Sequence, residues 1–399
     1  MKELSLYHKI AFAVLCAGAF TNTLTLIPSL TLIRVALPLT LCLLLFTERV
    51  RLDSSFYAVC AFYFAYITYT LLITLAYGRD ISFPDIANFL FILPLVITAL
   101  WFFYAAPRDS LKILYWVCIA NLFVSLAIAT VEMATGWHLS LSNMHIPEKV
   151  YIVTEHNKNY PTGFFHNKND FAVVVTLTLC YILTYRILFI QNRRKWMDLL
   201  LFVPGMAVLC MVRGRTALAA VLLFLLFTQR QRLLKHKVFL SIIGGVCMVA
   251  LIVVFCFTHT DSSSTRFSLY FYSFASLFDS YCLGFGLHGD SAYFTSFDNY
   301  TLFSQVSNAH SYLFEMLLTS GFFFFMAYIA LLIYVMRNIA KNHGRDEFWA
   351  MVPLYVFLLF APSSSLYLWI HYLFFSAMMG YAIVPASQNE ILQKREQPL

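Results

Sequence analysis

Charge is scarce in this sequence of 399 residues: Asp, Glu, Lys and Arg make up 12% of it, about half the share found in an ordinary soluble domain. That shortage excludes a soluble enzyme. The nine cysteines are an odd number, and all but Cys282 fall in apolar runs, so neither a disulfide framework nor a Cys-x-x-Cys metal site can be read. No nucleophile elbow, internal repeat, low-complexity tract or separable soluble domain is visible either. What the chain has in quantity is apolar surface: 60% of its residues are hydrophobic, with 40 Phe and 24 Tyr. At about 20 residues per crossing, twelve crossings would take about three fifths of the chain, which matches that fraction.

Apolar runs of spanning length lie at 8–27, 29–46, 55–77, 83–103, 111–134, 170–190, 197–212, 213–228, 238–258, 312–336, 348–361 and 366–385, the seventh, eighth and eleventh being short. Lys2 precedes the first run and Lys9 stands at its start, with no small-residue cleavage site after it, which reads as a first span rather than a removed signal. With the N-terminus in the cytoplasm, 19 of the 27 Lys and Arg residues fall on inner segments, against 9 acidic residues. The spans and outer face keep 8 basic residues against 11 acidic ones. The formal net charge of +7 is therefore a topology signal that places both termini inside, not a nucleic-acid surface. The reading is an all-α polytopic membrane protein with about twelve transmembrane helices, a single membrane domain over 1–399. Its two long outer segments are 135–169 and 259–311. The inner connections are short and basic, so a functional site carried by loops is expected to face outward.

Three outer stretches carry residues that could do chemistry. Met211-Val-Arg-Gly-Arg-Thr-Ala-Leu218 sets Arg213 and Arg215 between apolar runs. A guanidinium there is either a snorkelling side chain at a helix turn or a bidentate partner for phosphate. Around 265–310 the chain has Thr265-Arg266, then Gly284-Phe-Gly286 and Gly289, then Asn308-Ala-His310. The glycines suit a tight turn close to a ligand. His310, at the start of a helix and at the water boundary, can act as a general base near neutral pH, or simply cap and hydrogen-bond. Glu315, about one and a half turns on, is a charge inside a span, so it is either a functional group or half of a structural ion pair.

The third stretch, Pro161-Thr-Gly-Phe-Phe-His-Asn-Lys-Asn-Asp-Phe-Ala172, leads into the sixth run. Asn169 or Asp170 is a reasonable N-cap there, while His166, Asn167 and Lys168 could bind sugar hydroxyls or phosphate. The outer histidines show no i, i+4 pair with a flanking glutamate, and no Asp-x-Asp occurs on that side, so no metal site is expected.

In order and placement these residues resemble the O-antigen ligase and polymerase superfamily of bacterial inner-membrane glycosyltransferases. Gly163-Phe-Phe-His-Asn-Lys-Asn-Asp-Phe-Ala172 is similar to its Gly-x-Phe-x-Asn-x-Asn loop, and Arg213-Gly-Arg215 to its arginine motif. Thr265-Arg266 with Gly284-Phe-Gly286 is similar to its Ser-Arg and Gly-x-Gly pair, and Asn308-Ala-His310 with Gly321 to its His-Asn-x(9)-Gly helix. The chain departs from the pattern at Ser311, at Lys168 and in lacking a proline before Gly284.

The resemblance covers about residues 160 to 330. It implies a GT-C-like membrane fold whose 135–169 and 259–311 segments are periplasmic loops, the larger one carrying the site. It also implies an undecaprenyl-diphosphate-linked glycan as donor and an inverting transfer to a hydroxyl, with no cofactor or metal. The acceptor would be the lipid A core for a ligase, or another lipid-linked repeat unit for a polymerase. His310, Arg266 and Arg215 would then be catalytic, with Arg213, Asn169, His166, Lys168, Gly284, Gly286, Asn308 and Glu315 lining the substrate. The ligase is the preferred reading, on the compact chain and its single dominant outer loop. A flippase for the same lipid-linked sugar is the alternative from another class, disfavoured because the polar candidates gather at the outer edge and no repeat is visible.

Overall fold

The structure, a computed structural model, describes residues 4–21, 25–27, 30–45, 52, 54–139, 159–165, 167–190, 194–228, 261–289, 293–294, 309, 311–343 and 368–383. Helices dominate them. In chain order they are α1 (Leu6–Phe20), α2 (Leu32–Leu45), α3 (Ser54–Ala76), α4 (Phe83–Leu90), α5 (Ile92–Ala105), α6 (Pro107–Thr135) and α7 (Lys168–Phe189). After these come α8 (Lys195–Val212), α9 (Arg215–Thr228), α10 (Asp261–Asp279), α11 (Tyr312–His343) and α12 (Trp369–Ile383). Among the described residues, five segments are long and apolar enough to cross a membrane: α3, α4 with α5, α6, α7 and α11. This is the build of an α-helical, multi-pass membrane protein. The expected ninth and eleventh runs, 238–258 and 348–361, lie outside the described residues.

Two differences from the sequence reading concern where elements end. The first two runs are cut short: Thr25–Ile27 (β1) and Leu30–Thr31 (β2) pair as an antiparallel hairpin instead of lengthening two helices. The β-branched residues Thr25, Ile27 and Thr31 suit that pairing. The expected outer segment 259–311 contains helix α10, whose Ser, Thr, Asp and Arg residues hide it from a search for apolar runs.

Helix ends follow local chemistry. Pro107 opens α6 at its first turn with Asp109 beside it, and Gly136, at φ 67°, caps its far end, each where its backbone preference is strongest. Ser82 caps α4, accepting from the Asp85 amide. Residues 171–186 of α7 are buried on every side, as expected of a helix that is apolar all round and sits in the centre of a bundle. It packs on α6, α8 and α9.

One end of the bundle is tied by ion pairs. Lys9 of α1 reaches Asp109 of α6 at 3.2 Å. Arg186 of α7 binds Asp198 of α8 and reaches the Tyr115 hydroxyl of α6. At the same end His343 of α11 meets the Tyr381 carbonyl of α12, and the Phe189 and Tyr381 rings touch. The chain direction then puts the start of α7, the α8–α9 turn and the ends of α3 and α6 together at the opposite end. Within the core, aromatic rings join α3, α11 and α12: Tyr312 lies near His371, Tyr328 and Tyr372 with centroids 5.4–6.0 Å apart, and Tyr63 of α3 meets Tyr372 edge-on at 5.9 Å.

Candidate functional site

The residues singled out from sequence occupy two places at that opposite end. The first is the corner where α7 and α9 begin. Asn167 caps α7, its side chain accepting from the Asn169 amide at 2.9 Å, so the helix starts two residues earlier than an Asn169 cap would allow and three earlier than an Asp170 cap would. An Asx side chain bonding two residues ahead is the local device that starts it. α8 ends at Val212, and Arg213 takes the left-handed conformation at φ 54° as its cap. α9 begins at Arg215. The stretch is thus a turn between helices, with Arg213 and Arg215 both exposed. Gly214 holds the turn against α7, since a Cβ on it would lie 3.1 Å from that of Ala172.

This packing brings two of the sequence stretches together on one residue that neither highlighted. The Lys168 ammonium sits 3.6 Å from the centroid of the Tyr160 ring. The Arg213 guanidinium lies 5.4 Å from the same centroid, and its Nη1 reaches the Tyr160 hydroxyl at 3.5 Å. Each cation–π contact of this kind contributes about 0.5–1 kcal/mol where solvent reaches it. More relevant is the field. Lys168 and Arg213 meet on one ring, and Lys168 and Arg215 are the first residues of α7 and α9, so the corner combines cations with two helix N-termini, a combination that suits an anion. Asp170 in the first turn of α7 and the C-terminal carbonyls of α8 offset it in part.

Close to that corner in the chain's packing is Glu132, which the sequence reading passed over and which binds the Thr162 and Gly163 amides just downstream of Tyr160. It is buried in the last turn of α6, 2% exposed. Its Oε2 accepts from the Thr162 amide at 2.7 Å and the Gly163 amide at 3.0 Å, and its Oε1 accepts from the Leu139 amide at 3.1 Å. His138 Nδ1 stands 3.7 Å from Oε2. Bonds from amides to a charged acceptor contribute about 1.5–3 kcal/mol each, enough to offset a desolvation cost of several kcal/mol for a buried carboxylate. The rule that makes an ionisable residue inside a span a functional candidate singles out Glu315, and it applied equally to Glu132.

The second place is the seat of the Gly284-Phe-Gly286 segment. α11 is broken at Gly321 (φ 73°, ψ −172°). In an unbroken helix the Leu318 and Thr319 carbonyls would accept from residues 322 and 323. Here they accept instead from the Phe285 and Gly286 amides at 2.7 and 2.9 Å, while the Phe322 amide turns to the Cys282 carbonyl at 3.0 Å. Thr74 of α3 accepts from the Leu287 amide at 2.7 Å. The close approach that these glycines permit is therefore to the protein's own backbone. A Cβ on Gly286 would come within 2.7 Å of Thr74 Cα and N, and one on Gly284 would meet Gly321 and Thr319. Non-helical backbone at membrane depth is tolerated when protein supplies its hydrogen bonds, as the inserted segment does here.

Above the seat, His288 faces Asp85 at 3.5 Å, and the Arg79 guanidinium lies over Tyr77 and Phe285. Asp279 accepts from the Tyr293 hydroxyl at 2.7 Å; burial and that carboxylate push the phenol's pKa up. Glu315 is buried on α11, 3% exposed, within electrostatic range of Tyr66. His310, His166 and Asn308 lie outside the described residues. Arg266 lies in the first half of α10, and its side chain is outside the described set.

No family model matches the chain. Over 327 aligned positions it is 22% identical to the teichuronic acid biosynthesis protein TuaE of Bacillus subtilis (strain 168). The match takes in 74% of this chain and 64% of that protein, so the chain spans less than two thirds of its relative's length.

Proposed function

We propose that this protein is a membrane glycosyltransferase that moves a glycan from a lipid diphosphate to a sugar hydroxyl. One observation carries the reading: Lys168 and Arg213 share the Tyr160 ring at the corner where α7 and α9 begin, an arrangement suited to a diphosphate. The similarity to a protein named for teichuronic acid biosynthesis is consistent with polysaccharide assembly. In this mechanism Lys168, Arg213 and Arg215 hold the diphosphate and stabilise the charge that develops as it leaves. The motif resemblance assigns Arg266 to the same task. His310 takes the proton of the acceptor hydroxyl as its oxygen attacks the anomeric carbon. The bond from that carbon to phosphate breaks, the new glycosidic bond forms with inversion, and the diphosphate departs on its lipid.

In the finer reading, the enzyme is an O-antigen ligase of the bacterial inner membrane, with its site on the periplasmic side. The donor is O-polysaccharide on undecaprenyl diphosphate and the acceptor is the lipid A core. A second reading, a repeat-unit polymerase acting on the same donor, is equally compatible with a relative named for teichuronic acid biosynthesis. Deleting the gene and running a lipopolysaccharide gel separates the two. A ligase mutant shows bare core while lipid-linked polymer accumulates; a polymerase mutant shows core with a single repeat. Full-length ladders would sink both. Purified protein that carries lipid-linked sugar across liposomes but forms no glycosidic bond would make it a transporter. In the transfer assay His310→Ala, Arg266→Ala and Arg215→Ala abolish activity while the protein still inserts, and normal turnover by His310→Ala would remove the base.

A further inference from the structure

We propose that Glu132 is the positioning residue of the anion corner, a latch that sets where the diphosphate's cations stand. This rests on the glycosyl-transfer reading above for its functional readout, although the latch itself can be observed without it. The Glu132 side chain touches both stubs of the first long outer segment, and His138 in the first stub adds a 3.5 Å contact between its Nδ1 and the Thr162 hydroxyl. Leu139 follows the end of α6, and Thr162 and Gly163 precede the start of α7. Fixing the second stub fixes the rest in a short chain of contacts. The Phe165 amide closes a turn on the Thr162 carbonyl at 3.0 Å. Gly163 (φ 58°) lies so close to the Phe171 ring that a Cβ would come within 2.6 Å of it. Asn167 then caps α7, directly before Lys168. Tyr160, two residues upstream of Thr162, carries both Lys168 and Arg213.

A carboxylate suits this position better than any neutral group. Its two oxygens accept three amide hydrogens and present no donor to them, whereas an amide side chain would turn an NH2 toward one of the three. Glu132→Gln keeps one carbonyl oxygen, enough for the Thr162 and Gly163 amides, and sets its NH2 against Leu139. It is therefore a partial loss of the latch, and Glu132→Ala a complete one.

The test combines hydrogen exchange with kinetics on the full chain in detergent or nanodiscs. Glu132→Ala should speed exchange at 159–165 by about tenfold or more. It should raise KM for the lipid-diphosphate-linked donor, and weaken competitive inhibition by inorganic pyrophosphate, each by about tenfold, with kcat within about twofold. Glu132→Gln should fall between wild type and Glu132→Ala on each measure, and it carries the comparison alone if the alanine variant does not insert. Unchanged exchange at 159–165 would overturn the latch. A fall in kcat with donor KM and pyrophosphate inhibition unchanged is the mark of a merely structural role, and would overturn the positioning. Faster exchange in Glu132→Ala, in a protein whose wild type forms no glycosidic bond, would uphold the latch and remove the glycosyl-transfer reading instead.

Discussion

The seat of Gly284-Phe-Gly286 and the neck held by Glu132 lie at the same end of the bundle and solve the same problem by opposite means. Each docks an irregular segment onto helices without leaving buried backbone groups unpaired. At the seat, backbone bonds backbone: Phe285 and Gly286 take the carbonyls that the break at Gly321 releases, and the fit depends on side chains that are absent. At the neck, one carboxylate gathers three amides, and the fit depends on a side chain that is present. A seat built on missing atoms tolerates no addition. A neck built on one charge can be weakened in steps, which suits a part that tunes where cations stand.

The largest effect expected from breaking this contrast comes at the seat. In Gly286→Ala the new methyl would lie 2.5 Å from Thr74 Oγ1, on a residue at φ 79°. Left-handed strain and overpacking together cost on the order of 3–5 kcal/mol. Thermal unfolding in detergent should show a clear loss of stability, with a smaller yield of monodisperse protein. A variant as stable as wild type would mean that the segment does not sit in the break of α11. Thr74→Val tests the same seat more gently. It leaves the Leu287 amide, now paired with the hydroxyl at 2.7 Å, without an acceptor, at a cost of about 1–3 kcal/mol. The same unfolding assay reads it, and a cost above that of Gly286→Ala would reverse the ranking of polar and steric contributions.

The sequence disclosed the parts of this arrangement that act locally and concealed those that act at a distance. Apolar runs mark most of the helices because burial and membrane contact both select for them. α10 escaped, since a helix carrying Asp261, Ser262, Ser263, Ser264 and Thr265 has no such run. The glycine spacing announced a close approach, yet its partners, Thr74 and Gly321, are far away in the chain. Arg213 and Lys168 were legible as phosphate-binding types, but their meeting on Tyr160 depends on how α7 and α8 pack. Glu132 was hardest to read. Its partners Thr162 and Gly163 are backbone amides 30 and 31 residues downstream, and an amide leaves no mark on a sequence.

Gly136→Ala makes the smallest change and sharpens the comparison most. Gly136 caps α6 at φ 67°, within 12° of the angle at Gly286, and it stands at the neck, its amide bonded to the Glu132 carbonyl at 2.9 Å. A Cβ built on it meets nothing within 4 Å. The conformational penalty alone should therefore operate, about 1 kcal/mol, with donor KM unchanged because the Glu132 carboxylate keeps its three amides. If Gly136→Ala instead cost as much as Gly286→Ala in the same unfolding assay, positive φ rather than contact with Thr74 would govern both sites. The contrast between a seat set by packing and a neck set by charge would then fail.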